Sequence, residues 1–269
     1  MFYGATSISH SSRFAWFELN ESDRAVASIG KEMRYEFKRL DILGTRFPYH
    51  PHHNVRHVAM KDAILSCAER EVLVLACGKG IVEYLLPDGI RCLSADISSN
   101  EIEAAMEVNR YKPNRQFLVA DIFRVEEVLG QQTFPVVAIS ELIEHLDKDR
   151  LALENARRHL RPGGWLVLTV PNTDRFHNRV RRLLGRQPFL MTPDHKREYT
   201  VAGARRLLEE IGLVVVRWRG IWFDFPRPYW VEKYISPYSK LRSMLATLFP
   251  QSATFHLFVC RSPGPVGLI

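Results

Sequence analysis

The sequence predicts a doubly wound α/β domain with a seven-stranded, mostly parallel sheet and helices on both faces. Three observations carry that prediction. From Glu71 onward, short and nearly continuous apolar runs alternate with amphipathic stretches, as strands buried on both faces and separated by helices require. The 269 residues are 46% hydrophobic and 11% aromatic, enough to bury the core of one large domain. Small-residue turns and carboxylates follow the apolar runs, at the strand ends where such sheets hold ligands.

Taken in order, residues 1 to 50 mix Ser, His, aromatic and charged residues, and Glu21 to Leu43 has helical spacing with Ser22 or Asp23 as a cap. Residues 1 to 69 are therefore expected to form a helical and loop appendage, with the domain proper over 70 to 269. The run RFPYHPHHN, Arg46 to Asn54, reads as a loop. Its histidines and His57 lack carboxylate or cysteine neighbours, so they are expected to face solvent or substrate, and no metal is expected. Expected strands are Val72 to Ala76, Arg91 to Asp96, Gln116 to Ala120, Val136 to Ser140 and Trp165 to Val170. Asn100 to Tyr111 and Lys148 to Leu160 are expected as helices between them.

After Pro171 comes a basic amphipathic stretch to Leu184, then a helix from Thr200 to Ile211 with Thr200 as cap and Gly212 as a left-handed terminus. Leu213 to Trp222 and Thr254 to Arg261 read as the closing strands. Between them, at about 223 to 253, lies an aromatic and proline-rich insertion too long for a turn.

Lys and Arg total 37 against 30 Asp and Glu, a formal charge of +7. That balance favours an anionic substrate, nucleic acid or an anionic membrane surface, or simply marks a basic soluble enzyme. The four cysteines form no C-x-x-C pair, so neither a zinc site nor a disulfide framework is expected. The N-terminus lacks a secretory pattern and no stretch reaches the roughly 20 apolar residues of a spanning helix. A cytoplasmic location with reduced thiols follows as the expectation.

The candidate ligand site begins at VLVLACGKG, Val72 to Gly80, a strand running into a small-residue turn and a helix. Such a turn lets backbone amides approach a ligand. Asp96, at the end of the next strand, offers a carboxylate to both ribose hydroxyls of a nucleoside, or else caps the following helix.

The succession Cys77-Gly78-Lys79-Gly80, Asp96-Ile97-Ser98, Ala120-Asp121-Ile122, Ser140-Glu141-Leu142-Ile143-Glu144-His145-Leu146 and Leu160-Arg161-Pro162-Gly163-Gly164 resembles the class I methyltransferases, which have a Rossmann-like fold. The likeness covers about residues 70 to 215 and is strongest to the small-molecule O-methyltransferase branch. It implies S-adenosyl-L-methionine as cofactor, with Ala76, Gly78 and Gly80 bordering its methionine part. Asp96 would then bind the ribose and Asp121 the adenine amino group, between Ile97 and Ile122 as apolar walls. Ser140 and Glu141 would lie beside the transferred methyl. The chain departs from the family pattern at Val74 and Ala76, where an acidic residue and a first glycine are usual, and at Pro135, where an aspartate commonly precedes the fourth strand.

Val170-Pro171-Asn172 and His195-Lys196-Arg197-Glu198-Tyr199-Thr200 resemble the acceptor side of methyltransferases acting on sugars, lipids and quinone precursors, which turns the expectation away from nucleic acid. Methyl transfer to oxygen needs alignment of the acceptor and a destination for its proton. Histidine suits the second task, so His195 and His145 are the catalytic candidates, and Arg197, Tyr199 and Asn172 the substrate candidates. An RNA methyltransferase and a binding protein that has lost catalysis are the alternatives. Asp174 to Arg186 sets five arginines beside Phe176, Val180, Leu183 and Leu184, the composition of a segment that meets an anionic membrane surface, or of a solvated basic face.

Overall fold

The computed structural model describes residues 51–225 and 240–264. The helix expected over Glu21 to Leu43, and residues 226–239 of the aromatic insertion, lie outside the described residues. In order the elements are α1 (Pro51–Leu65), β1 (Glu71–Leu75), α2 (Ile81–Leu85), β2 (Arg91–Asp96), α3 (Ser99–Val108), β3 (Arg115–Val119), α4 (Val125–Leu129) and β4 (Phe134–Ser140). A 3-10 turn at Ile143–His145 follows, then α5 (Asp149–Arg158), β5 (Leu160–Pro171), α6 (Phe176–Leu183), α7 (Val201–Glu210), β6 (Val214–Ile221), α8 (Lys240–Leu248) and β7 (Phe255–Arg261).

The seven strands run β3-β2-β1-β4-β5-β7-β6. All neighbours pair in parallel except β7, which lies antiparallel to β5 and β6. Strand order reverses between β1 and β4, so a crevice opens at their carboxyl ends.

Alternation along the strands divides the core in two. On one face Leu73, Leu75, Val137, Ile139, Leu166 and Leu168 pack on residues of α4, α5 and α7. On the other, Val72, Val74, Val136, Ala138 and Val167 meet Met60 and Ile64 of α1 and Val82 of α2. Both faces are therefore apolar, which explains the continuous runs in the sequence.

Helix α1 corrects two expectations. Of the stretch read as a loop, Arg46 to Asn54, the described residues from Pro51 on are helical. The boundary after residue 69 put this helix in an appendage, yet Met60 and Ile64 are fully buried against the sheet. Truncating such a side chain to Ala costs about 2 to 5 kcal/mol, so α1 is a layer of the domain itself.

Helix ends follow local chemistry. Ser98 Oγ accepts from Glu101 N at 3.3 Å at the start of α3, and Thr200 Oγ1 accepts from Gly203 N at 2.9 Å at the start of α7. Gly212 ends α7 at φ 77°. Pro135 lies inside β4, at a shift of register against β5 between Phe134 and Val136, where a missing N–H is tolerated.

Candidate active site

A cavity of about 540 Å³ opens at the β1/β4 reversal, lined from α1 by Arg56, His57 and Met60. The β1 turn supplies Ala76, Gly78 and Lys79, the end of β2 supplies Asp96, and the end of β4 supplies Ser140, Glu141 and Leu142. That volume lies within the range of small-molecule sites.

The turn after β1 is left-handed at Ala76 (φ 56°), Gly78 (φ 51°) and Gly80 (φ 67°). A Cβ on Gly78 would meet nothing closer than Glu101 Oε2 at 3.8 Å, so its backbone faces open space. A Cβ on Gly80 would stand 2.7 Å from Asn109 Nδ2 and 3.0 Å from Ala105 Cβ. Gly80 therefore serves the packing of the turn on α3, and it does not line the cavity.

Asp96 holds the two loops together. Its Oδ2 accepts from Gly78 N at 2.9 Å and its Oδ1 from Ser98 N at 3.0 Å. The cap of α3 is Ser98, so Asp96 remains aimed into the cavity with lone pairs to spare.

Three residues expected around an adenine are not among the cavity's lining residues. Ile97 is 69% exposed, Ile122 is buried in the sheet core, and Asp121 Oδ1 accepts from Phe123 N at 2.9 Å in a local turn. Ile122 fills the layer under α4 and α5 because its side chain points to that face of the sheet.

At the end of β4 the backbone turns sharply, with Glu141 at φ 53°. Ser140 Oγ and Thr169 Oγ1 are 2.9 Å apart, and Glu141 Oε2 pairs with Arg56 at 3.4 Å. Burial raises the Glu141 pKa, against the opposing pull of Arg56 and His195. His145 does not share a helical face with Glu141, four residues before it, because only the 3-10 turn Ile143–His145 forms there. Its ring lies edge-on to that of His195, with centroids 4.7 Å apart.

The acceptor-side candidates divide. His195 is buried, with Nδ1 3.3 Å from Glu198 Oε1. Glu198 is in turn paired with buried Arg175 and accepts from Met191 N. Asn172, Arg197 and Tyr199, the substrate candidates, make ties within the protein. Asn172 is fully buried and donates to the carbonyls of Gln251 and Ala253, at 2.9 and 2.7 Å. Tyr199 donates to Asp149 Oδ2 at 2.7 Å, and Arg197 reaches the same oxygen at 2.9 Å. Their polar atoms meet the α5 start and the β7 entry.

Arg56, Met60, Glu144 and Glu198 belong to this region without having been given a role in the sequence, whereas His57, expected to face solvent or substrate, lines the cavity. Arg56 and Met60 carried a signal, since a spacing of four puts them on one face of a helix, but that helix was read partly as loop.

The chain matches the model of the Methyltransferase domain family over residues 50–217. It is 31% identical over 123 residues to the mitochondrial ubiquinone biosynthesis O-methyltransferase of Candida albicans, covering 42% of this chain and 36% of that protein. It is 28% identical over 134 residues to the ubiquinone biosynthesis O-methyltransferase of Histophilus somni (strain 2336), covering 46% of this chain and 55% of that one. The match thus spans little more than a third of the first relative and about half of the second. In fold it resembles the N-methyltransferase NodS of Bradyrhizobium japonicum WM9, solved with S-adenosyl-L-homocysteine, at a TM-score of 0.56 and 17% identity over 85% of this chain and 98% of that one. The magnesium protoporphyrin IX methyltransferase of Synechocystis PCC 6803 superposes at a TM-score of 0.52 and 14% identity, over 78% of this chain and 83% of that one.

Proposed function

The chain belongs to the Methyltransferase domain family of S-adenosylmethionine-dependent enzymes, and from that premise we propose that it methylates an oxygen of a small-molecule, sugar, glycolipid or natural-product acceptor. The observation that supports this best is the combination in one cavity of an open left-handed turn, the Asp96 carboxylate and the Ser140–Glu141 strand end. These residues fit the cofactor. Gly78 leaves backbone room where its methionine part would lie, and Asp96, which braces the turn through Gly78 N, would hold the ribose hydroxyls by charge-assisted hydrogen bonds. The cofactor supplies an electrophilic methyl group.

This chain's own residues then orient the acceptor and dispose of its proton. Glu141, held by Arg56, lies at the rim of the cavity. Beyond it stand His145 and His195, each with Nδ1 facing a carboxylate, Asp194 at 3.1 Å and Glu198 at 3.3 Å. His145 Nε2 also lies 3.9 Å from Glu144 Oε1, and the pair is assigned the departing proton because imidazole titrates in the right range. The two relatives named for ubiquinone biosynthesis O-methyltransferases support oxygen as the atom methylated.

Transfer of tritium from labelled cofactor into a cell extract, followed by nuclease treatment and solvent partition, tests this reading. Counts in a small organic-soluble or glycan product are expected. Counts confined to nuclease-sensitive material would assign the enzyme to RNA, and no counts beside intact cofactor binding would make it a binding protein.

Around α6, Arg181, Arg182 and Arg186 lie near Leu183 and Leu184, exposed at 87% and 66%. This basic, apolar edge supports peripheral contact with an anionic lipid surface.

A further inference from the structure

We infer that Glu101 is a cofactor-binding residue whose carboxylate faces the sulfonium of S-adenosylmethionine, so that the charged cofactor is held more tightly than its neutral product, S-adenosylhomocysteine. The inference rests on the methyl-transfer reading of the cavity and deepens it.

Glu101 stands three residues after Ser98, the cap of α3, in the first turn of that helix. This is the spacing of a capping box, in which the glutamate accepts from the N–H of the cap residue. Here only half of the box forms. Ser98 Oγ accepts from Glu101 N at 3.3 Å, but Ser98 N donates to Asp96 Oδ1 at 3.0 Å. The Glu101 carboxylate is thereby released from the helix end, and it lines the cavity.

Its place there is fixed by Gly78. A Cβ on Gly78 would have Glu101 Oε2, at 3.8 Å, as the nearest atom beyond its chain neighbours. Gly78 N is bonded to Asp96, the carboxylate assigned to the ribose, and Gly78 itself borders the place of the methionine part. The sulfur is the atom that joins these two parts of the cofactor. A cofactor so held carries its sulfur past Gly78, on the open side that Glu101 faces.

The charges of the cavity point the same way. Among the described residues its lining has three acids, Asp96, Glu101 and Glu141. Asp96 accepts from two backbone N–H groups, and Glu141 is paired with Arg56. The half-buried Glu101 carboxylate has neither an ion pair nor a hydrogen bond among the described residues. A carboxylate short of both is completed by a ligand that brings positive charge. A sulfonium has no N–H or O–H to donate, so charge is the means by which a side chain can recognise it.

The consequence is a preference for substrate over product. As the acceptor oxygen bonds to the methyl carbon and gives up its proton, the pair of the broken sulfur–methyl bond stays on sulfur, which becomes a neutral thioether. The attraction to Glu101 ends with that charge, and the product is released more readily than the cofactor.

The test is calorimetry on the full chain with S-adenosylmethionine and S-adenosylhomocysteine in separate titrations, each over a range of salt concentrations. Unit charges about 5 Å apart, at effective dielectric constants of about 80 to 40, correspond to roughly 4- to 16-fold in affinity. Glu101→Gln, near-isosteric, should therefore weaken S-adenosylmethionine by that factor and change S-adenosylhomocysteine by less than about twofold. Glu101→Asp, which keeps the charge on a shorter arm, should fall between. In the unmodified protein, added salt should weaken S-adenosylmethionine more than S-adenosylhomocysteine, a readout that needs no substitution. Equal losses for the two ligands in Glu101→Gln overturn the inference, by placing Glu101 on the ribose or amino group that both carry. No loss for either, or equal salt dependence of the two, also overturns it. Absent binding of both ligands by the unmodified chain overturns the methyl-transfer reading, and the inference with it.

Discussion

Asp96 is the residue on which cofactor affinity should depend most, and its structural and binding duties are separable. Its two oxygens accept from Gly78 N and Ser98 N at 2.9 and 3.0 Å, and so brace the turn. A carboxylate has about four lone-pair positions, which leaves two for the ribose hydroxyls. Hydrogen bonds to a charged group contribute about 1.5 to 3 kcal/mol, so Asp96→Ala should weaken S-adenosylmethionine binding by roughly 10- to 150-fold at 1.4 kcal/mol per decade. The same change leaves two backbone N–H groups without acceptors, at about 1 to 3 kcal/mol each where water cannot replace the carboxylate. Each kcal/mol lowers the melting temperature by about 2 to 4 °C in a domain of this size. Asp96→Asn should fall between, since its amide turns a donor toward one of two donors. Calorimetry with a melting curve on each variant separates the effects. A lowered melting temperature with unchanged affinity would show that Asp96 only braces the turn, and the ribose assignment would fail.

Ala76→Gly should raise stability by up to about 1 kcal/mol, because relief of a left-handed non-glycine residue (φ 56°) outweighs the greater freedom of glycine in the unfolded chain; a lower midpoint in urea would show that the methyl is needed where it is. Glu83 is fully buried and desolvation raises its pKa from 4.5 to about 7, so the folded state holds a proton that the unfolded state releases between those values. Stability should therefore fall as pH rises from about 4.5 to 7, by about 3 kcal/mol in all, and Glu83→Gln should flatten that dependence in urea titrations; an unchanged slope would assign it to other groups. Glu198→Ala strands the buried Arg175 guanidinium and should remove about 3 to 5 kcal/mol of stability, whereas a loss under 1 kcal/mol would mean that the pair is open to water. Co-sedimentation with anionic vesicles should exceed that with neutral ones and fall in an Arg181→Ala, Arg182→Ala, Arg186→Ala variant; equal binding to both lipids would remove the membrane contact.

What could be read along the chain were features set by neighbours in sequence. Continuous apolar runs announced strands covered on both faces, Thr200 and Gly212 marked the ends of α7 through chemistry local to a helix terminus, and Asp96 at a strand end pointed to the crevice. Features set by residues far apart were not legible. Met60 and Ile64 bury α1 against strands that follow it, which no periodicity before residue 70 could show. Tyr199, Arg197 and Asn172 carry groups that recognise substrates as readily as they tie loops, and the meeting of the first two with Asp149, and of Asn172 with the carbonyls before β7, came only with the tertiary structure. Glu144 stood in the sequence as one acid among 30. The tertiary structure alone gave it significance, by closing the loop of His195 over it and taking away the water that would otherwise have solvated its carboxylate.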